Sequence, residues 1–175
     1  MTDWPEIIRQ HGRLVWRTAY RLLGCEADAS DCYQKTFLEA VRLDGRKTVR
    51  DWTSMLKRLA TVRSLDILRS RYRRRQHLEP AAEISELISH DSDPSESLET
   101  AELAEQLRAA LAELPDRQAE VFCLCCLDGL SYAEAAEHLQ LESGGVGALL
   151  HRARKQLRRR LASLEPGVQT NSRGE

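Results

Sequence analysis

Aromatic residues are scarce in this chain, at 5% of 175 positions. Strands favour aromatic and β-branched side chains, so the shortage argues against a sheet-rich fold and for packed helices. Long apolar runs are missing too. No stretch approaches the roughly 20 apolar residues that span a bilayer. The first ten residues, MTDWPEIIRQ, lack the basic-then-apolar pattern of a secretory signal, so no membrane association and a cytoplasmic location are expected. The five cysteines, Cys25, Cys32, Cys123, Cys125 and Cys126, form no regular framework and are expected as thiols. Cys123 and Cys126 share a helix face, but a tetrahedral metal site needs four ligands. His11, His77, His90, His138 and His151 show no ligand spacing. No metal, cofactor, nucleophile–base pair or phosphate-binding glycine loop is read from the sequence, which argues against an enzyme.

The net charge is also small, at −1, but the balance conceals segregation. Residues 1–75 hold 17 Lys and Arg against 9 Asp and Glu, a balance of +8. Residues 76–142 hold 2 against 16, or −14, and residues 143–175 hold 7 against 2, or +5. Two basic ends around an acidic middle suggest two contacts with a polyanion and a middle that avoids it or shields them.

Hydrophobic periodicity organises the chain into helices. One is expected over 5–23, with Gly24 as its stop, and a second over 28–43, burying Cys32, Tyr33, Phe37 and Val41. Residues 44–50, DGRKTVR, read as a basic loop. A third helix over 51–74 carries Met55, Leu56, Leu59, Val62 and Leu65 and ends in RSRYRRR. Residues 77–98 contain two prolines, five serines and many acids, the composition of a linker, although Ile84, Leu87 and Ile88 leave room for a short docking helix. A helix over 97–113 places Leu103, Leu107 and Leu111 on one face. Asp116 is a candidate cap for the next helix, which stops at Asp128-Gly129. Ser131-x-x-Glu134 fits a capping box that opens the short helix SYAEAAEHL. The last helix, over 144–161, turns Val146, Leu149, Leu150, Ala153 and Leu157 inward and Arg152, Arg154, Lys155, Arg158 and Arg159 outward.

A capped short helix, a tight turn and a second helix with a basic exterior form the pattern of a helix-turn-helix, whose second helix enters a major groove. A helical hairpin with a solvated basic face has the same pattern. In the third helix, Arg63, Arg69, Arg71, Arg73, Arg74 and Arg75 recur beside Tyr72, with Trp52 near its start. Arginines neutralise phosphates and aromatics stack on exposed bases, although a charge run also serves as a plain solvated face.

At these residues the chain resembles the extracytoplasmic-function (ECF) sigma factors, the sigma-70 superfamily members with regions 2 and 4 only. DASDCYQKTFLEAVR resembles the family's polymerase-binding helix, and LKRLATVRSLDILRSRYRRR its promoter-melting and minus-10 helix. LPDRQAEVFCLCCLDGLSYAEAAEHL and HRARKQLRRRL resemble the region 4 helix-turn-helix. The resemblance implies an all-α fold of two small helical domains: a three-helix region 2 over 1–76 and a helix-turn-helix region 4 over 99–162. A flexible acidic linker over 77–98 joins them, and a polar tail covers 163–175. It implies that Asp28, Asp31 and Gln34 face the clamp helices of the largest subunit of core RNA polymerase, with Phe37 in the core. Arg63, Asp66, Arg69 and Arg73 would line minus-10 promoter DNA. The second domain would meet the polymerase flap and the minus-35 element. Polymerase would do the phosphoryl transfer, and an anti-sigma factor is a possible further partner.

Two departures stand out. Where the family often has Thr-Val-Lys-Ser-Arg at the start of the recognition helix, this chain has Gly145-Val146-Gly147-Ala148-Leu149. The two glycines cost about 1 kcal/mol each against Ala. Minus-35 readout is then weakened, altered or shifted to Ser143, His151, Arg152 and Lys155. Arg63 stands where the family often has Asn. Two other readings fit parts of the pattern: a helix-turn-helix regulator, which has no need of the Asp28, Asp31 and Gln34 helix, and a degenerate sigma-like adaptor acting mainly through proteins.

Overall fold

A computed structural model describes residues 2–45, 49, 51–77 and 98–162. The docking-helix and linker expectations for 78–97, most of the basic loop and the tail lie outside the described residues. Among the described residues every regular element is helical: α1 (Trp4–Leu23), α2 (Glu26–Asp44), α3 (Trp52–His77), α4 (Leu98–Ala112), α5 (Asp116–Phe122), a π-helical turn (Cys123–Leu127), α6 (Tyr132–Leu139) and α7 (Ser143–Ala162).

The ends of α1 follow from local chemistry. Asp3 accepts from the Glu6 backbone N–H at 3.2 Å, and Pro5 sits in the first turn, where its missing N–H costs nothing. Gly24 ends the helix in the left-handed region, φ +62°, and its N–H returns to the Tyr20 carbonyl. α1, α2 and α3 pack as a bundle. Their outer core holds Val15, Phe37, Ala40, Leu56 and Ala60, with Trp4 edge-on to Trp52 at 5.1 Å.

α5, α6 and α7 form the second unit around Val121, Leu124, Leu130, Ala135, Leu139, Val146 and Leu150. The α6 start has the expected capping box: Ser131 accepts from the Glu134 N–H, and the Glu134 carboxylate accepts from the Ser131 N–H at 2.7 Å. Gln140, at φ 54°, turns the chain into α7.

Two expectations are corrected. Val41 is 47% exposed and stands outside the core. It has the helical spacing of a buried residue, but no neighbour among the described residues covers it. Asp116 does not cap α5; it is the first helical residue, and Pro115 precedes it in an extended conformation with no side-chain cap.

The two units also share a core. Ala19, Leu22 and Leu23 of α1, Ala29 and Cys32 of α2, and Leu65 and Leu68 of α3 form one cluster with Ala110, Leu111, Leu114, Ala119, Cys123, Ala153 and Leu157. The partner for the inner side of the first bundle is therefore the second unit.

Candidate functional site

Three faces carry the residues singled out by sequence. The first is α2. Asp31 and Gln34 are exposed, and Asp31 meets Lys35 one turn on at 3.3 Å, an exposed pair that contributes little to stability. Asp28 stands a turn earlier and is partly covered by an ion pair with Arg71 of α3, which also donates to the Leu23 carbonyl at 3.0 Å. Leu38, 59% exposed, and Val41 continue the Asp31–Gln34 strip at helical spacing. This makes a polar-then-apolar face suited to a protein partner. Spacing from Gln34 contains that signal, but an apolar side chain on an amphipathic helix is assigned inward by default.

The second face is α3. Arg63, Asp66, Arg69 and Arg73 recur at intervals of three and four residues and share one side. Arg73 and Asp66 are exposed, and Arg63 lies 3.7 Å from Glu39 of α2. Arg69 is different. Its side chain is 16% exposed and turned towards α5, where Nη2 lies 3.2 Å from Asp116 as an ion pair without hydrogen-bond geometry.

The third face is α7. His151, Arg152 and Lys155 are exposed and gather on the side opposite Val146, Leu150, Ala153 and Leu157. Arg154, Arg158 and Arg159 extend this basic surface. Ser143 is also exposed but stands at the helix start, eight residues before His151, about 12 Å along the axis. The four residues therefore do not form one cluster. Between them Gly144 and Ala148 leave a shallow strip. A Cβ at Gly144 or Gly145 would meet nothing within 4 Å, so neither glycine is required by packing. Arg154 Nη2 contacts Cys126 Sγ at 3.4 Å, which ties the basic surface to the π-helical turn.

Two acidic residues that sequence did not assign to any contact, Asp128 and Glu105, join the units. The Asp128 carboxylate is 3% exposed and receives Arg21 at 2.5 Å, Thr18 at 3.1 Å and Thr61 at 2.8 Å, while Lys57 donates to the Asp128 carbonyl at 2.8 Å. The π-helical turn, closed by the Asp128 N–H on the Cys123 carbonyl, presents this residue to α1 and α3. A second junction centres on Glu105 of α4, which accepts from the Tyr72 hydroxyl at 2.7 Å and pairs with Arg75 at 3.0 Å. Burial opposes ionisation of Glu105, but the hydrogen bonds from Tyr72 and Arg75 outweigh it and hold its carboxyl below the usual range. Burial, then the Glu105 carboxylate, pushes the Tyr72 hydroxyl well above its ordinary value. Arg108 reaches from α4 to the Leu22 carbonyl at 3.1 Å and fills the space beside Gly24.

All five cysteines are free. Burial raises the thiol pKa of Cys32, Cys123 and Cys125. No cluster of three or more metal-ligating side chains occurs among the described residues. Nor, among them, is any helix long and apolar enough to cross a membrane.

Both halves of the chain match known proteins. The family model described as Sigma-70 region 2 matches residues 7–76, and that described as Sigma-70, region 4 matches residues 104–157. The ECF RNA polymerase sigma factor SigE of Mycolicibacterium smegmatis is 35% identical over 162 residues, covering 93% of this chain and 63% of that protein. The chain thus spans less than two thirds of that relative's length. The ECF RNA polymerase sigma factor SigF of Caulobacter vibrioides is 33% identical over 144 residues, covering 81% of this chain and 75% of that protein. In fold, the chain is similar to the sigma factor RpoE solved in complex with the anti-sigma factor NepR from Bartonella quintana, with a TM-score of 0.58 and 20% identity over 95% of this chain and 100% of that one. On these matches in both halves of the chain, it belongs to the ECF RNA polymerase sigma factors of the sigma-70 family.

Proposed function

We propose that this chain docks on core RNA polymerase and confers promoter-specific initiation, with residues 1–76 acting as region 2, 99–162 as region 4 and 77–98 as the linker between them. The observation that carries the reading is the separation of a protein-type face on α2 from basic faces on α3 and α7. Asp31 and Gln34, with Asp28 at the margin, meet the clamp helices of the largest subunit; Leu38 and Val41 supply the apolar part of that contact. Arg63, Asp66, Arg69 and Arg73 meet minus-10 DNA, where phosphate neutralisation offsets the few kcal/mol needed to unstack a base. His151, Arg152 and Lys155 meet the minus-35 element. With only small side chains at 144, 145, 147 and 148, contact there is mostly to phosphate and sequence readout is shallow. Ser143 is a separate contact at the helix start. The second unit also meets the polymerase flap. The family is not one of catalysts, and the chain supplies binding energy while polymerase supplies the chemistry. An anti-sigma protein, as in the RpoE complex, is a candidate partner.

Run-off transcription tests this reading. The purified chain with core polymerase initiates at discrete sites on fragments of its own genome; core alone does not. Absence of discrete transcripts from every fragment rejects the initiation role and leaves a helix-turn-helix regulator. Gln34→Ala lowers the affinity for core without loss of helicity, and an unchanged affinity removes Gln34 from the interface.

A further inference from the structure

Three of the five cysteines, Cys123, Cys125 and Cys126, stand together on the π-helical turn that follows α5. The polymerase and DNA contacts proposed above use none of them. Their settings differ. Cys123 is fully enclosed in the core shared by the units, Cys125 is half-buried and Cys126 is exposed. Cys126 also carries a cation: Arg154 Nη2 of α7 donates to its sulfur at 3.4 Å. A guanidinium beside a sulfur favours the thiolate, which is the nucleophile and the form that peroxides oxidise. Cys123 suits the other half of a redox pair. It stands three residues before Cys126, so along a helical turn their Cα atoms lie about 5–6 Å apart, within the span of a disulfide. Adjacent Cα atoms are only about 3.8 Å apart, which is too close for an ordinary disulfide between Cys125 and Cys126. Burial, then the Asp128 carboxylate, raises the Cys123 thiol pKa, so Cys123 is a poor first target for an oxidant in solution. Its enclosure keeps out reagents but not a neighbour one turn away.

We propose that Cys126 and Cys123 form a peroxide-oxidised dithiol, with Cys126 as the attacking thiolate, Cys123 as the resolving thiol and Arg154 as the residue that positions Cys126. In the first step the Cys126 sulfur attacks one peroxide oxygen and the O–O bond breaks. Cys126 becomes a sulfenic acid, and the other oxygen leaves as hydroxide and takes up the proton lost from Cys126 to become water. In the second step the Cys123 sulfur attacks the Cys126 sulfur. The S–O bond breaks, and the hydroxide leaves as water with the Cys123 proton. Two thiols and one peroxide thus give one disulfide and two waters; the sulfurs lose two electrons and the peroxide gains them. The new bond draws the Cys126 sulfur away from Arg154. It also ties the turn whose Cys123 carbonyl accepts from the Asp128 N–H. Oxidation therefore reaches both the basic surface of α7 and the junction at Asp128.

The test uses the full chain, reduced, freed of reductant and treated with hydrogen peroxide at neutral pH. Alkylation under denaturing conditions and peptide mapping then follow each cysteine. In wild type, Cys123 and Cys126 lose alkylation together, their peptide loses two hydrogens, and dithiothreitol restores both thiols. Cys126→Ser forms neither sulfenic acid nor disulfide. Cys123→Ala stops at the Cys126 sulfenic acid, which dimedone captures, and Cys125→Ser still forms the disulfide. If Cys123→Ala fails to fold, fragmentation of the oxidised wild-type peptide identifies the pair by itself. A bond from Cys126 to Cys125 or to a second chain overturns the pairing, and a chain whose thiols all survive peroxide overturns the site. Arg154 has its own measurement, the rate of dimedone capture at Cys126. Arg154→Ala slows it several-fold and Arg154→Lys restores most of it, since a cation is again beside the sulfur. An unchanged rate in Arg154→Ala overturns the part given to the guanidinium.

Discussion

At the level of single residues, burial decides reactivity more than residue type does. Cys126 is exposed, whereas Cys32 and Cys123 are fully enclosed and burial raises both of their thiol pKa values. The thiolate is the reactive form, so iodoacetamide at neutral pH modifies Cys126 first. Cys32 and Cys123 react only with unfolding, as peptide mapping of a time course will record; early labelling of Cys123 would contradict its enclosure. Glu105 gives a second prediction, with Tyr72, Arg75 and Arg108 as the groups facing it. Its folded pKa lies below the ordinary 4.5. Its ionised form therefore contributes stability that is complete above that value and is lost as pH falls through the depressed one. The melting-temperature difference between wild type and Glu105→Gln should be constant from pH 7 down to about 5 and shrink below about 4.5, by the same linkage. A difference that persists unchanged into acid would show that the carboxylate charge plays no part.

Among the elements, α6 and α7 were the most legible in sequence because their signals are local. Ser131 and Glu134 satisfy each other across a single turn, and the inward set from Val146 to Leu157 is buried or half-buried as its spacing implies. Val41 and Asp128 were not legible for a shared reason. Periodicity reports which residues lie on one side of a helix, not whether another element covers that side. Val41 has a core residue's spacing without a covering neighbour among the described residues, while Asp128 follows a helix end, where a solvated turn is the ordinary outcome. The polar network at Thr18, Thr61 and Lys57 depends on contacts more than 60 residues apart in sequence, which no local pattern encodes. The two glycines flanking this element make a paired prediction. Gly145 is helical with open space at its Cβ, so Gly145→Ala should stabilise by about 0.5–1 kcal/mol, raising Tm by about 1–4 °C. Gly129 is held at φ +73°, so Gly129→Ala should destabilise by about 1–2 kcal/mol despite equally open space. Thermal melts that moved both variants the same way would refute the backbone argument.

For the whole molecule, the core shared by the units makes them one body. Leu22, Leu65 and Leu68 pack with Leu111 and Leu114 across the contact, and the Asp128 carboxylate receives Arg21, Thr18 and Thr61 there. Truncating a buried leucine costs about 2–5 kcal/mol. Leu111→Ala should therefore destabilise the first unit as well as the second. Trp4, Trp16 and Trp52 all lie in the first unit, so their fluorescence reports its unfolding. In this variant the tryptophan-fluorescence melt should shift down together with the loss of helicity. A tryptophan signal that still melted at the wild-type temperature would show that the two units unfold separately.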